Sequence, residues 1–294
     1  MAQLIQMRQR IKAIETIKKI THAMRLISMS MHSRLRNKTP LLKKYNKEIE
    51  DLFKKLKLAA PKWQNKITNP KATKESNPLF IIVSSQKGLC GTFNINLIKE
   101  LEKTTTLQEI ENTNFILVGK KAVDYFTGKN VKSILRQFNE INTRNFTQIS
   151  NEIVDMIINS KTPYSSVKIL SNELKTFFYQ KPRLIQLIPI DSDQENLPEN
   201  TLDNNNNTAF SSQDYFWSQK AEEILDKLAP QYIASNVNSF LIESLLAEQA
   251  ARFLSMDTAT RNAKKLLEET TLQYNKLRQA KITKELTELA TNFE

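Results

Sequence analysis

The stretch best placed to do chemistry is Gly88-Leu89-Cys90-Gly91, which follows a short apolar run and precedes a helical pattern. Backbone N–H groups of glycine-rich loops cradle phosphates at such positions. The segment lacks the Walker spacing and its Lys-Ser/Thr ending, and Lys87 precedes the glycines instead of following them, so a structural turn is the stronger reading. Cys90 is the only cysteine and has no histidine that can be placed near it, which argues against a nucleophile and excludes an internal disulfide. His22 and His32 sit on a basic helix without a nearby Cys or carboxylate cluster; no metal site is expected, and both should face solvent.

What remains is the framework. The 294 residues are 40% apolar and 25% charged, an ordinary composition for a chain able to bury a sizeable core. No run approaches the roughly 18 apolar residues of a membrane span, and the first residues lack the apolar block of a signal peptide, so a soluble, cytoplasmic protein is expected. The formal charge of +12 is uneven: residues 1–60 carry net +11, residues 212–294 net −2. A basic N-terminal helix and a slightly acidic C-terminal one suit each other, and the excess calls for acidic partners or solvation.

Neither Gly nor Pro occurs between Gln231 and Glu294, which predicts one very long helix. At about 1.5 Å per residue, its 55 to 60 helical residues would reach roughly 80 to 90 Å, more than a compact domain of this size can cover. Leu267, Thr270, Tyr274, Leu277, Ile282, Leu286, Leu289 and Phe293 form a narrow stripe, while Ala247, Ala250, Ala251, Ala259 and Ala263 would let a second helix come close.

The chain's other end offers that helix. Leu4, Met7, Ile11, Ile14, Ile17, Ile20, Met24, Ile27, Met31 and Leu35 recur at three-four spacing; Pro40 should kink or break the helix, and the pattern resumes from Leu41 to Leu56. Residues 62–78 read as a connector. Then the period changes. Leu79–Val83 and Asn114–Val118 read as buried strands, each followed by a glycine turn and a helix, near Asn94–Lys103 and Lys120–Phe126. A helix at Phe146–Asn159 follows, and then strands Val167–Leu170 and Arg183–Ile190, which could form a hairpin around Thr176–Gln180. Asp191–Ser212 reads as a mobile surface loop, Ala221–Leu228 as a short helix, and Pro230 as its end. The expected fold is α/β plus a long antiparallel coiled coil. Residues 1–60 and 213–294 supply the helices, and 79–190 form an inserted α/β domain.

At this point the chain resembles the gamma subunits of F-type ATP synthases, the central rotor shaft. The residues that carry the likeness are Arg10-Ile11-Lys12, Lys19 to Met24, Ser84 to Asn94, Glu248 to Ala263 and Tyr274 to Glu288, in the family's order and across nearly the whole chain. Two stretches depart from it. Asn292-Phe293 replace the family's usual Gly-Ala, leaving a bulkier tip, and Ser28 to His32 replace small residues and a lysine; the regulatory cysteine pair of chloroplast relatives is absent.

The resemblance implies a protein without a catalytic site or cofactor of its own. Its implied partners are three alpha and three beta subunits around the helices, the epsilon subunit and the membrane c-ring, at the cytoplasmic face of a bacterial inner membrane. By spacing alone Arg278 and Gln279 are solvated residues; the resemblance implies that they meet a loop of the beta subunit, with Thr283 and Glu285 close by and Met24 also facing beta, where a buried seam methionine is an equal alternative. It likewise implies that Leu286, Leu289 and Phe293 turn in an apolar bearing, where seam packing is the ordinary reading. A nucleic-acid binder is disfavoured because the basic residues of the first helix flank an apolar seam without an aromatic platform. A coiled-coil adaptor, or a gamma-like shaft of a divergent motor, is the remaining alternative.

Overall fold

The computed structural model describes residues 2–61, 63–65, 77–105, 113–160, 163–190 and 219–291. The expected mobile loop at 191–212, most of the connector at 62–78 and the Asn292-Phe293 tip lie outside them. Among the described residues ten elements follow in order: α1 (Ala2–Ala59), β1 (Leu79–Val83), α2 (Phe93–Thr104), β2 (Asn114–Val118), α3 (Lys120–Gly128), β3 (Ile134–Phe138), α4 (Phe146–Ile158), β4 (Val167–Thr176), β5 (Tyr179–Ile188) and α5 (Ala221–Thr291).

Two corrections concern proline. Pro40 lies inside α1 and Pro230 inside α5, and neither ends its helix. A proline in a helix interior costs about 3 kcal/mol through one lost backbone bond and a clash. Buried side chains on either side outweigh it: Leu35, Ile49 and Phe53 around Pro40, and Leu225, Ala229 and Ile233 around Pro230. Burying a single such aliphatic or aromatic side chain stabilises by about 1.5 to 3 kcal/mol. The short helix and the long one expected at the C-terminal end are therefore a single element.

The chain divides into two compact units. The larger comprises Ser33–Gly88 and Thr92–Glu248 and is built on a five-stranded sheet of order β3-β2-β1-β4-β5. β1, β2, β3 and β4 run parallel, and β5 returns antiparallel to β4. Alternate residues of the central strands point to opposite faces. Phe80, Ile82, Phe115, Leu117 and Leu170 pack with Leu97 and Leu101 of α2 and Phe126 of α3. Leu79, Ile81, Val83, Ile116, Val118, Val167 and Ile169 pack on the other face with α4, Leu35 of α1 and the α5 residues from Ile233 to Leu246. Burial on both faces explains why these strands read as unbroken apolar runs.

β3 was not expected. Only its end residues approach burial, and Leu135, Arg136 and Gln137 at the sheet edge are exposed, so the sequence offered no apolar run. The hairpin formed as expected, with strands longer than the sequence indicated, because β4 and β5 continue past the end of β1 as a two-stranded ribbon turning at Phe177-Phe178. A third cluster closes the unit where α1 ends: Phe53 stacks on Tyr232 at 4.7 Å, and Trp63 Nε1 donates to Asp226 Oδ1 at 3.0 Å.

The smaller unit comprises Met1–His32, Leu89–Gly91 and Gln249–Glu294, so it consists of stretches of α1 and α5 with one short turn. Thr260 Oγ1 donates to Thr21 Oγ1 at 3.0 Å, and Arg25 Nη1 lies 2.7 Å from Asp257 Oδ1.

Candidate functional site

The glycine turn is closed on itself. Asn94 accepts from the Ser85 N–H at 3.1 Å and donates Nδ2 to Ser85 Oγ at 2.8 Å, and Ser85 Oγ donates to the Lys87 carbonyl at 2.8 Å. Ser85 and Asn94 thus commit these polar groups to the turn itself. Gly91 adopts φ +60, with Ser255 beside it, and Cys90 is buried. Nearby, Ser84 Oγ accepts the Ala122 N–H at 2.8 Å and so caps α3 in the absence of a capping side chain at its own first position. Gly119, at φ +94, brings its backbone so near that a Cβ there would lie 2.3 Å from the Ser84 carbonyl oxygen. Among the described residues, no group of His, Cys, Asp or Glu could hold a metal ion.

The α1–α5 seam of the smaller unit departs from the apolar stripe read in the sequence. Ile17, Ile20 and Ile27 are exposed, whereas Thr21, Ser28 and His32 are buried. The geometry of the helix explains this. Successive steps of three from Ile14 to Ile17 to Ile20 each fall about 60° short of a full turn, carrying the isoleucines off the seam. Alternating steps of three and four through Leu4, Met7, Ile11, Ile14, Thr21, Ser28 and His32 keep facing the partner. His32 is accordingly inside, contrary to expectation, while His22 is exposed as expected and its Nδ1 meets Arg25 Nη2 at 3.2 Å.

On α5 the facing positions are Met256, Thr260, Ala263, Leu267, Thr270, Tyr274 and Leu277, all buried or half-buried. With the register set by Thr21 against Thr260, Leu277 comes opposite Leu4, so α5 from Lys281 onward passes the start of α1. Its side chains from Ile282 to Glu288 are all exposed there.

The residues singled out from the sequence that the structure describes fall mostly on this outer surface. Arg278, Gln279, Thr283 and Glu285 are exposed and Met24 is half-buried. Thr283 Oγ1 donates to the Gln279 carbonyl at 3.0 Å, and Glu285 lies 3.4 Å from Lys281. Leu286 is 62% exposed. Leu289 belongs to α5 but its side chain is outside the described set, as is all of Phe293. What the sequence reading missed is Asp257, which holds Arg25 across the seam and Arg261 at 3.0 Å along its own helix. Its signal was the seam register, since Asp257 adjoins Met256 in it. The outer face also carries Ile5, Leu26 and Met29 beside Arg8, Arg10, Lys12 and Lys19.

Two long helices enclosing, in sequence, a mixed five-stranded sheet with its own helices define an α/β protein with long flanking helices. Among the described residues, no helix is long and apolar enough to cross a membrane. The family model described as ATP synthase matches residues 3–294. An ATP synthase gamma chain of Acinetobacter baumannii is 30% identical over 292 residues, spanning 98% of both chains. That of Bdellovibrio bacteriovorus is 28% identical and spans 100% of this chain and 99% of its own. This chain belongs to the ATP synthase gamma-chain family. Its fold is shared with chains of the Euglena gracilis mitochondrial ATP synthase. One from its rotor has TM-score 0.65 and 15% identity, covering 96% of this chain and 99% of that one. Another, from rotational state 3, has TM-score 0.68 and 16% identity, with 99% and 94% covered.

Proposed function

We propose that this protein is the non-catalytic central rotor shaft of an F-type ATP synthase. It would couple proton- or sodium-driven rotation to ATP synthesis or hydrolysis at surrounding alpha and beta subunits. The observation that carries the reading is the outer face of α1. Ile17, Ile20 and Ile27 are each more than half exposed although the helix has a partner on its seam, and such a stripe calls for a further protein surface. Family membership supplies the class of that surface: three alpha and three beta subunits, with epsilon and the membrane c-ring as further partners, at the cytoplasmic face of a bacterial inner membrane.

In this reading residues 1–60 and 213–294 pair as an antiparallel coiled coil, and residues 79–190 form the foot. The contacts of Thr21 with Thr260 and of Arg25 with Asp257, where numbers rise on one helix as they fall on the other, support the antiparallel sense. Arg278 and Gln279 contact a beta-subunit loop, Arg through its fork of donors and Gln through its donor and acceptor, with Thr283, Glu285 and Met24 nearby. Leu286, Leu289 and Phe293 turn against an apolar bearing, which offers few directional bonds to resist rotation. Because the shaft presents a different side to each beta subunit, the three sites take different conformations, and turning the shaft moves each through the series.

The test is co-expression with the alpha and beta subunits of the same source, native mass spectrometry, and ATP hydrolysis with and without this chain. Three alpha, three beta and one copy of this chain, with hydrolysis dependent on it, is the expected result. A chain that stays alone, or assembles without supporting hydrolysis, returns the adaptor alternative.

A further inference from the structure

In the larger unit, Thr39 and Lys43 of α1, Leu174 of β4, and Ser239 and Glu243 of α5 line a cavity of about 80 Å3. That is room for water, and the two hydroxyls, the ammonium and the carboxyl provide polar partners for it. Glu243 is half-buried there. The charged groups that face it come from every element packed around it: Glu173 and Lys175 on β4, Arg183 on β5 and Lys43 on α1. Two of the three cations are already engaged, since buried Glu173 lies 3.5 Å from Lys175 and 3.8 Å from Arg183. Among the described residues Glu243 has no direct ion pair, and Lys43 is the cation left to answer it.

We propose that this seam is a proton-operated latch. With the Glu243 carboxyl neutral, α1, α5 and the β4–β5 ribbon close over the cavity; when it gives its proton to water, the seam loosens and Lys43 is drawn in as counter-ion. Burial, and secondly the like charge of Glu173, hold the Glu243 carboxyl above its ordinary value of 4.5, and Lys43, Arg183 and Lys175 only partly oppose them. The folded chain therefore keeps a proton that the unfolded chain has lost. Stability from this group is full below 4.5 and declines as pH rises from there through the raised folded value. This inference stands independently of the rotor reading.

The experiment compares full-length wild type with Glu243→Gln, which is locked neutral at the same size, from about pH 3.5 to about pH 8, so that the acid end lies below the ordinary value of 4.5 at which the decline starts. Thermal midpoints and amide hydrogen exchange of β4 and of residues 239–246 are followed. The expected result is coincidence at the acid end and a wild-type midpoint that falls progressively below the variant's as pH rises. Exchange, corrected for its intrinsic pH dependence, should accelerate in wild type alone. Parallel midpoints and exchange at every pH overturn the latch. If Glu243→Gln does not fold, Glu173→Gln decides: removing the like charge moves the onset of fast exchange to lower pH, and an onset unmoved or absent overturns the proposal.

Discussion

The Arg25 guanidinium lies 2.7 Å from the Asp257 carboxylate, joining the two helices of the smaller unit beside a polar contact between Thr21 and Thr260. Both side chains are about a quarter exposed, and Asp257 also holds Arg261. Asp257→Asn should cost about 0.5 to 1.5 kcal/mol, a partly screened pair counting for less than a buried one. Chemical denaturation of the full chain at low and high salt checks this, and the loss should shrink as salt is added.

Gly119 tests how the α3 turn is built. Gly119→Ala places a methyl 2.3 Å from the Ser84 carbonyl oxygen at φ +94, while Gly128 has open space around it. Gly119→Ala should lower stability by more than about 3 kcal/mol or leave the protein insoluble. Gly128→Ala should stay close to wild type. A tolerated Gly119→Ala would mean that the turn has a second conformation.

The two prolines within helices are sites where stability can be gained. Pro40 is exposed on α1, so Pro40→Ala meets no packing constraint and restores a backbone donor. A rise of about 1 to 3 kcal/mol is expected, read as a higher denaturant midpoint with unchanged slope. No rise would mean that the helix is bent there in a way alanine does not relieve.

Arg278 and Gln279 are exposed, so their truncation should leave the isolated chain's stability within about 0.5 kcal/mol of wild type. Within the assembled complex, Arg278→Ala should reduce ATP hydrolysis roughly tenfold if it forms a charge-assisted bond worth about 1.5 kcal/mol in the rate-limiting state. Unchanged turnover would remove Arg278 from the coupling surface.

Much of this fold is legible because its physics is local. Apolar runs such as Leu79–Val83 mark strands covered on both faces, and glycines mark the turns after them. β3 escaped because edge exposure removed its apolar signal, and Pro40 and Pro230 misled because distant packing outweighs a local penalty. The seam was partly misread for a third reason. Apolar residues at three-four spacing do not all share one face, and only the position of the partner helix reveals that Thr21 and Ser28 lie inside while Ile17 and Ile20 lie outside. Arg278 and Gln279 carry no signal of their own beyond the family motif around them, since solvated side chains look alike whatever they later touch.

The outward isoleucines of α1 also bear on how cells must handle this chain. Ile17, Ile20 and Ile27 stand in water whenever it is alone, on a strongly basic helix. Copies made ahead of their partners are therefore the sticky species. Under the proposed rotor role, production of the chain has to stay matched to the supply of the subunits that would cover it, and surplus molecules would be natural clients for chaperones and proteases.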